Sequence, residues 1–107
     1  MGFAHRDYKA ENLVIDVNCD IKLIDFGLSY RLDQGYATDC LGTTCLMAPE
    51  INNHETHCPL KADVFSVGVL LYLLVTGHYP WKIACAKNDK HFELIAKGRS
   101  ELFWRSR

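Results

Sequence analysis

Eight residues near the start of the chain, HRDYKAEN from His5 to Asn12, carry most of the side chains that could do chemistry. Asp7 is a carboxylate that can accept a proton, and Lys9 is a cation that can bind an anionic group. Asn12 provides an amide oxygen, which Mg²⁺ accepts as a ligand beside a carboxylate. The stretch therefore predicts a polar site that combines a proton acceptor, a cation and a metal ligand.

Two short apolar segments follow and predict the element that brings a second metal ligand to this site. NLVID, from Asn12 to Asp16, and IKLID, from Ile21 to Asp25, are separated by the four residues VNCD. Alternating segments rich in Ile, Val and Leu around a short turn are typical of a β-hairpin. Because antiparallel pairing places the start of one strand beside the end of the other, Asn12 and Asp25 should be neighbours.

The rest of the chain predicts a long loop followed by helices. Residues 27–47 have no hydrophobic period, and a loop of that length is usually functional or mobile. Residues 48–50 predict the start of a short helix. KADVFSVGVLLYLLVTG then predicts a helix at about 61–76, with Asp63 in its first turn and Gly77 as its stop. Because this helix is apolar on nearly every face, we expect protein all around it.

A last amphipathic segment, NDKHFELIAKG, predicts a further short helix. Its expected N-cap is Asn88 or Asp89, and its expected end is Gly98. This helix should bury Phe92 and Ile95.

The polar residues form an ordered series of motifs. His5-Arg6-Asp7 with Lys9 and Asn12 is followed by Asp25-Phe26-Gly27, by Ala48-Pro49-Glu50 and by the apolar segment DVFSVGV. In this order, and with five residues from Asp7 to Asn12, the series resembles the catalytic domain of eukaryotic serine/threonine protein kinases. The calcium/calmodulin-dependent-kinase-like group is one candidate within that family.

The resemblance implies an α+β fold: the mainly helical C-terminal lobe of a kinase, with a small β-hairpin at the cleft and without the N-terminal lobe. Residues 1–107 would form a partial kinase domain. Its catalytic loop would be 5–12, its DFG motif 25–27, its activation segment 25–50 and its central buried helix about 61–76.

The resemblance also implies which residues act on ATP, Mg²⁺ and a protein substrate. Asp7 would accept the proton of a substrate serine or threonine hydroxyl, and Lys9 would place its ammonium on the transferring phosphate. Lys9 and Thr43 are features of the serine/threonine branch, and both are expected catalytic residues. Asn12 and Asp25 would bind Mg²⁺.

Further roles follow from the same resemblance. Val14 would lie beneath the adenine ring. Val14 and Glu11 therefore join Lys9, Asn12 and Asp25 as the expected cofactor-binding residues. Glu11 also stands where some kinases recognise a basic residue upstream of the target, although an exposed residue without selectivity is equally compatible. His5, Asp63 and Glu50 would be structural, with Asp63 accepting backbone N–H groups from the catalytic loop.

Each of these residues also has an ordinary structural interpretation. Asp7 alone could belong to a turn, Asp25 could end a strand, and Asn12 could be a cap or turn former. The joint spacing of the motifs argues against these readings for Asp7, Lys9, Asn12 and Asp25.

Regulation is suggested by Arg6, because kinases with this arginine commonly pair it with a phosphorylated residue of the activation segment. Counted back from residues 48–50, the usual acceptor position is Asp39, next to Thr38. Either Asp39 offers a standing anion to Arg6, or Thr38 is the phosphorylated residue. A solvated loop with neither role is the alternative.

Composition and charge narrow the classes of protein to which the chain could belong. Of the 107 residues, 49% are hydrophobic and 23% charged, as in a globular domain or part of one, and the net charge of −1 gives no reason to expect nucleic-acid binding. The apolar run from Val64 to Val75 is shorter than the about 20 residues that span a membrane, so no membrane association is expected. Five cysteines without CxxC spacing suggest reduced thiols in an intracellular, cytoplasmic protein.

The sequence contains no GxGxxG motif and no counterpart of the N-lobe lysine and glutamate. We therefore expect that it starts inside a kinase domain and is inactive alone. The resemblance pairs Glu50 with an arginine beyond residue 107, so we also expect the isolated chain to be unstable. The alternative hypothesis is a non-catalytic truncated kinase or pseudokinase fragment that serves as a binding or regulatory module.

Overall fold

The computed structural model describes residues 2–106, which fold into two small antiparallel sheets followed by four α-helices. This agrees with the predicted α+β class. The elements, in chain order, are β1 Phe3–Ala4, β2 Leu13–Ile15, β3 Ile21–Leu23, β4 Tyr30–Arg31, α1 Pro49–Asn52, α2 Pro59–Thr76, α3 Lys90–Ala96 and α4 Ser100–Ser106, with short 3₁₀ turns at Ala10–Asn12 and Leu32–Gln34.

The predicted hairpin is confirmed. Strands β2 and β3 pair antiparallel with Leu13 opposite Leu23. The turn between them is held by Asp16, whose Oδ1 accepts hydrogen bonds from the N–H groups of Asn18 at 2.8 Å and Asp20 at 3.0 Å. Short polar side chains favour turns because they can satisfy the backbone in this way.

Two pairings tie the long loop to the rest of the chain. Strand β1 pairs with β4, so that Ala4 lies opposite Tyr30. Farther along, Ala37 and His57 form an isolated antiparallel bridge with two N–H···O bonds of 2.9 Å. The segment of residues 27–47 is therefore attached to the rest of the chain at residues 30–31 and at residue 37.

Helix α2 begins two residues before the predicted start, at Pro59, so Asp63 lies in its second turn rather than its first. Proline is well suited to the first helical turn, where its missing N–H has no partner to lose. The helix ends at Thr76 because Gly77 adopts a left-handed conformation with φ 83° and donates its N–H to the Leu73 carbonyl at 2.8 Å.

One side of α2 forms the core, where Val69 and Leu70 pack with Leu46, and Ala62 packs with Met47. The other side is open: the exposed residues include Val64 at 68%, Leu71 at 60% and Val75 at 80%. The expectation of a helix buried on nearly every face is therefore wrong for residues 2–106.

By length and composition alone, α2 could cross a membrane. The same test is passed by core helices of globular proteins, and in this chain α2 carries the buried Asp63, which accepts hydrogen bonds from the segment at residues 5–6. We therefore treat α2 as a core helix.

Helix α3 is capped by Asp89, whose Oδ1 accepts hydrogen bonds from the N–H groups of His91 at 3.0 Å and Phe92 at 3.2 Å. Phe92 is buried, as predicted, but Ile95 is 36% exposed, contrary to the prediction. Phe92 packs against Trp81, with the ring centroids 5.0 Å apart and the ring planes at 82°. Edge-to-face contacts of this kind add to the stabilisation that burial of the rings provides.

Candidate active site

Asp7 and Asn12 are joined directly. The buried Asn12 side chain donates from Nδ2 to the Asp7 backbone oxygen at 2.8 Å and to Asp7 Oδ2 at 3.1 Å. The 3₁₀ turn makes this contact possible, because it folds the chain so that the Asn12 N–H bonds the Lys9 carbonyl at 3.0 Å. Since Nδ2 is used in this way, Oδ1 is the Asn12 atom left to accept a ligand.

Asp25 follows the end of the hairpin and is placed next to Asn12 by the backbone. The N–H of Ile24 donates to the Asn12 carbonyl at 2.9 Å, which extends the β2–β3 ladder by one residue. Asp25 is exposed, has φ 61°, and accepts the Gly27 N–H on Oδ1 at 3.2 Å. A left-handed conformation is uncommon for a residue with a side chain, so the backbone is held in an unusual shape at this carboxylate.

The donor set fits a hard cation. Amide and carboxylate oxygens, of the kind that Asn12 and Asp25 supply, are the ligands that Mg²⁺ takes in proteins. Among residues 2–106 there is no group of three or more His, Cys, Asp or Glu side chains placed for a metal.

Lys9 lies beside the carboxylate oxygen that Asn12 also contacts, with Nζ 3.7 Å from Asp7 Oδ2. The Asp7 side chain is 12% exposed and that of Lys9 is 30% exposed, so the pair stands at the mouth of a partly buried site. The arrangement puts a potential proton acceptor and a cation within one contact distance.

Asp63 on α2 holds the backbone of this segment. Its Oδ2 accepts the His5 N–H at 2.7 Å, and its Oδ1 accepts the Arg6 N–H at 2.8 Å. Arg6 has φ 68°, so the carboxylate stabilises a left-handed turn immediately before Asp7. Burial raises the pKa of Asp63 above its ordinary value, and the two N–H donors only partly offset that rise.

The His5 ring connects the segment to the end of the hairpin. Its Nδ1 lies 3.1 Å from the Asp7 N–H and accepts that hydrogen bond, which leaves Nε2 to donate to the Ile24 carbonyl at 3.1 Å. The ring also packs edge-on against Phe26, with centroids 4.8 Å apart. His5 therefore connects the backbone of Asp7 to the residues on either side of Asp25.

Arg6 reaches across the long loop. It donates from Nε to the Leu28 carbonyl at 2.6 Å and from Nη1 to Asp39 Oδ1 at 2.9 Å, and it lies over the Tyr30 ring at 4.8 Å. The arginine side chain is only 12% exposed, whereas that of Asp39 is 47% exposed. Thr38 is exposed beside this pair.

Gly42 lets the long loop pass close to the segment that carries Asp7. Its φ is 117°, and an added Cβ would lie 3.4 Å from the Arg6 carbonyl oxygen and 3.4 Å from Met47 Cγ. The next residue, Thr43, lines a narrow cavity of about 20 Å³ together with Asp7. Sequence reasoning missed Gly42, although a glycine before a predicted site residue is a usable signal of close backbone approach.

The remaining predicted site residues are not joined to this centre. Among residues 2–106, no hydrogen bond or ion pair links Glu11, Val14 or Glu50 to Asp7 or Asn12. Val14 lies on β2 and is 40% exposed, and Glu50 lies in the first turn of α1. Glu11 is exposed near Cys45 and Tyr79; burial raises the pKa of both groups most, and the negative charge of Glu11 adds to the rise.

Comparison with known proteins agrees with this geometry. The family model for the protein kinase domain matches residues 1–105. The chain is 36% identical over 109 residues to serine/threonine-protein kinase CHK1 of Saccharomyces cerevisiae, covering 96% of this chain and 20% of the yeast protein. It is 41% identical over 83 residues to maternal embryonic leucine zipper kinase of Xenopus laevis, covering 75% of this chain and 13% of that protein.

A plant relative gives the same picture. The chain is 42% identical over 84 residues to CBL-interacting protein kinase 2 of Oryza sativa subsp. japonica, covering 75% of this chain and 19% of that protein. The chain thus spans at most 20% of the length of these three curated relatives. The match over residues 1–105 confirms the resemblance seen in the motifs: the chain belongs to the protein kinase domain family.

Proposed function

We propose that this chain carries the catalytic loop, activation segment and part of the helical C-terminal lobe of a serine/threonine protein kinase. The reaction is transfer of the γ-phosphate of Mg-ATP to a serine or threonine of a protein substrate. The observation that carries the proposal is the Asn12 side chain, which fixes Asp7 through Nδ2 and leaves its oxygen for a metal. One residue thereby sets the distance between the proton acceptor and the metal site.

The side chains divide the work of the reaction. Asp7 accepts the proton of the substrate hydroxyl and orients that oxygen for attack. Lys9, 3.7 Å from Asp7, stabilises negative charge on the transferring phosphoryl group. Asn12 and Asp25 would hold Mg²⁺, and Mg-ATP supplies the phosphoryl group and neutralises its charge when bound. Thr43 shares a cavity with Asp7, which supports a role in placing the substrate residue.

Substrate and cofactor preferences are inferred from residues around this centre. Lys9 and Thr43, together with the names of the relatives, support serine/threonine specificity. Exposed Glu11 supports a preference for a basic residue upstream of the target, and Val14 supports an apolar floor for adenine. The cysteines, all free among the residues described, support an intracellular, cytoplasmic location.

Regulation is proposed to act through Arg6. The Arg6–Asp39 ion pair supports Asp39 as a standing anion that orders the loop. Thr38, exposed next to Asp39, is the alternative site of phosphorylation. Mass spectrometry of active enzyme for phosphate on Thr38, together with the activity of Asp39→Ala, distinguishes these two roles.

The test of the main proposal is phosphate transfer from γ-labelled ATP to a serine-containing protein. It is measured with this chain alone and with the longest natural product that contains it. We expect Mg²⁺-dependent transfer by the longer product and a loss of about 10³-fold or more in Asp7→Asn, and no transfer by the isolated chain.

A second candidate function is a non-catalytic binding module, favoured by the open apolar side of α2 around Leu71 and Val75. The same assay separates the two candidates: no phosphate transfer by any product would leave the binding module as the function. Lys61→Gln is the matched control, because Lys61 is exposed and lies outside the candidate site.

A further inference from the structure

A groove of about 650 Å³ lies beside the candidate active site and has no role in the reaction proposed above. One wall is formed by residues 43–45 and the other by residues within 79–91. Thr43 lines both this groove and the narrow cavity that Asp7 also lines, so the two lie side by side. The volume is in the range of sites that bind a small group or a side chain.

Two unneutralised cations line the groove. Lys82 and Lys90 are exposed, and neither takes part in any of the ion pairs found among residues 2–106. Thr43 and Thr44 add hydroxyl groups to the opposite wall. Cations with hydroxyl donors facing them are a suitable environment for a carboxylate or a phosphate.

The carboxylate in the groove, that of Asp89, already accepts backbone hydrogen bonds on both of its oxygens. Its Oδ1 accepts the two N–H groups at the start of α3, and its Oδ2 accepts those of Lys82 at 2.8 Å and Ile83 at 3.4 Å. Asp89 therefore fixes the loop that carries Lys82 to the helix that carries Lys90. It holds the two lysines on one wall and, among residues 2–106, forms no ion pair with either of them.

The wall behind the lysines is rigid. Trp81 packs edge-on against Phe92 at 5.0 Å and is stacked on Phe65 at 5.9 Å, which anchors the residue before Lys82 in the core. A fixed backbone lowers the entropy lost when a ligand is bound.

We propose that this groove binds an anionic side chain of the protein substrate, a carboxylate or a phosphate, close in sequence to the hydroxyl that receives the phosphoryl group. The proposal rests on the proposed function for the position of that hydroxyl. Glu11 lies near Cys45 and Tyr79, which line the groove. The substrate would therefore place a basic residue toward Glu11 and an acidic one toward Lys82 and Lys90.

Binding of fluorescent peptides to the longest natural product that contains this chain, measured without ATP, tests this without requiring catalysis. Each peptide has an arginine, an acceptor serine, and either alanine, glutamate or phosphoserine at successive positions on one side of that serine. We expect at least one position at which phosphoserine binds about fivefold more tightly than alanine, with glutamate between them, and a smaller difference at high salt. The glutamate and phosphoserine arms show which anion the groove prefers.

The double variant Lys82→Gln/Lys90→Gln should bind all three peptides alike, whereas Lys61→Gln should keep the preference. Both substitutions are at exposed positions, and circular dichroism checks that the fold is retained. Equal binding of alanine and anionic peptides, a preference that survives the double variant, or no measurable binding of any peptide would overturn the proposal. A preference for anions without phosphate transfer in the separate assay would overturn only the proposed function.

Discussion

Removing the Asp63 carboxylate should unfold the segment that positions Asp7. In Asp63→Ala, the N–H groups of His5 and Arg6 lose acceptors at 2.7 and 2.8 Å. Asp63 is 6% exposed and His5 is 3% exposed, so water does not readily replace the lost bonds. Arg6 would also have to keep its left-handed conformation without support.

The expected loss follows from these contacts. A hydrogen bond to a charged group contributes about 1.5–3 kcal/mol, so two such bonds correspond to about 3–6 kcal/mol of unfolding free energy. That is a large part of the about 5–15 kcal/mol that stabilises an ordinary domain. Urea unfolding followed by circular dichroism measures the loss, and Asp63→Asn is the control because it keeps one acceptor oxygen. We expect Asp63→Asn to lose about half as much.

The pH dependence gives an independent check. Burial raises the pKa of Asp63, so the folded protein binds a proton more tightly than the unfolded chain does. The stability of wild type relative to Asp63→Asn should therefore be greatest at low pH and fall as pH rises from about 3.8 through the raised pKa. A loss below about 1 kcal/mol in Asp63→Ala, or a relative stability that rises with pH across that window, would refute the reasoning.

Three further outcomes are expected. Gly42→Ala should lower the free energy of unfolding by about 1–3 kcal/mol, because a φ of 117° strains any residue with a side chain. Thermal denaturation measures the loss, and an unchanged midpoint would contradict this expectation. Asp89→Ala should cost about 1–2 kcal/mol at neutral pH. Burial, the largest single influence, raises the pKa of Asp89, but the four N–H donors together lower it below its ordinary value. The cost of the substitution should therefore shrink as pH falls below about 3.8. A cost that does not change with pH would contradict this explanation. Asp39→Ala should change the free energy of unfolding by less than about 1 kcal/mol, because the ion pair with Arg6 is partly exposed. It should nevertheless speed proteolytic cleavage of the long loop. Equal cleavage rates in wild type and variant would argue that the Arg6 contact does not anchor this loop.

The elements that sequence predicted well are those with a local cause. The turn with Asp16, the cap at Asp89 and the stop at Gly77 each depend on side chains or backbone freedom within a few residues. The spacing of Asp7 and Asn12 likewise predicted that they lie together, and they share a hydrogen bond of 3.1 Å.

The features that sequence missed have nonlocal causes. Strands β1 and β4 are two residues each, too short to show any period, and they exist because 26 residues later the chain returns beside Ala4, where Tyr30 pairs with it. A helix that is apolar all round gives no signal of which side is covered, so the exposure of Leu71 and Val75 could not be read from α2. The close approach at Gly42 depends on where Arg6 lies, which composition does not encode.

Asp7 on one side and the pair Asn12 and Asp25 on the other are held in place through backbone atoms more than through contacts between their side chains. Asp63 fixes the N–H groups of residues 5 and 6, and His5 then bridges from the Asp7 N–H to the Ile24 carbonyl, one residue before Asp25. The same Ile24 donates its N–H to the Asn12 carbonyl at 2.9 Å. A shift of α2 should therefore move Asp7, Asn12 and Asp25 together, because the hydrogen bonds of His5 and Ile24 connect all three residues to Asp63. The buried Asp63 carboxylate should therefore affect the positions of all three residues, although it makes no direct contact with their side chains in the hydrogen bonds described.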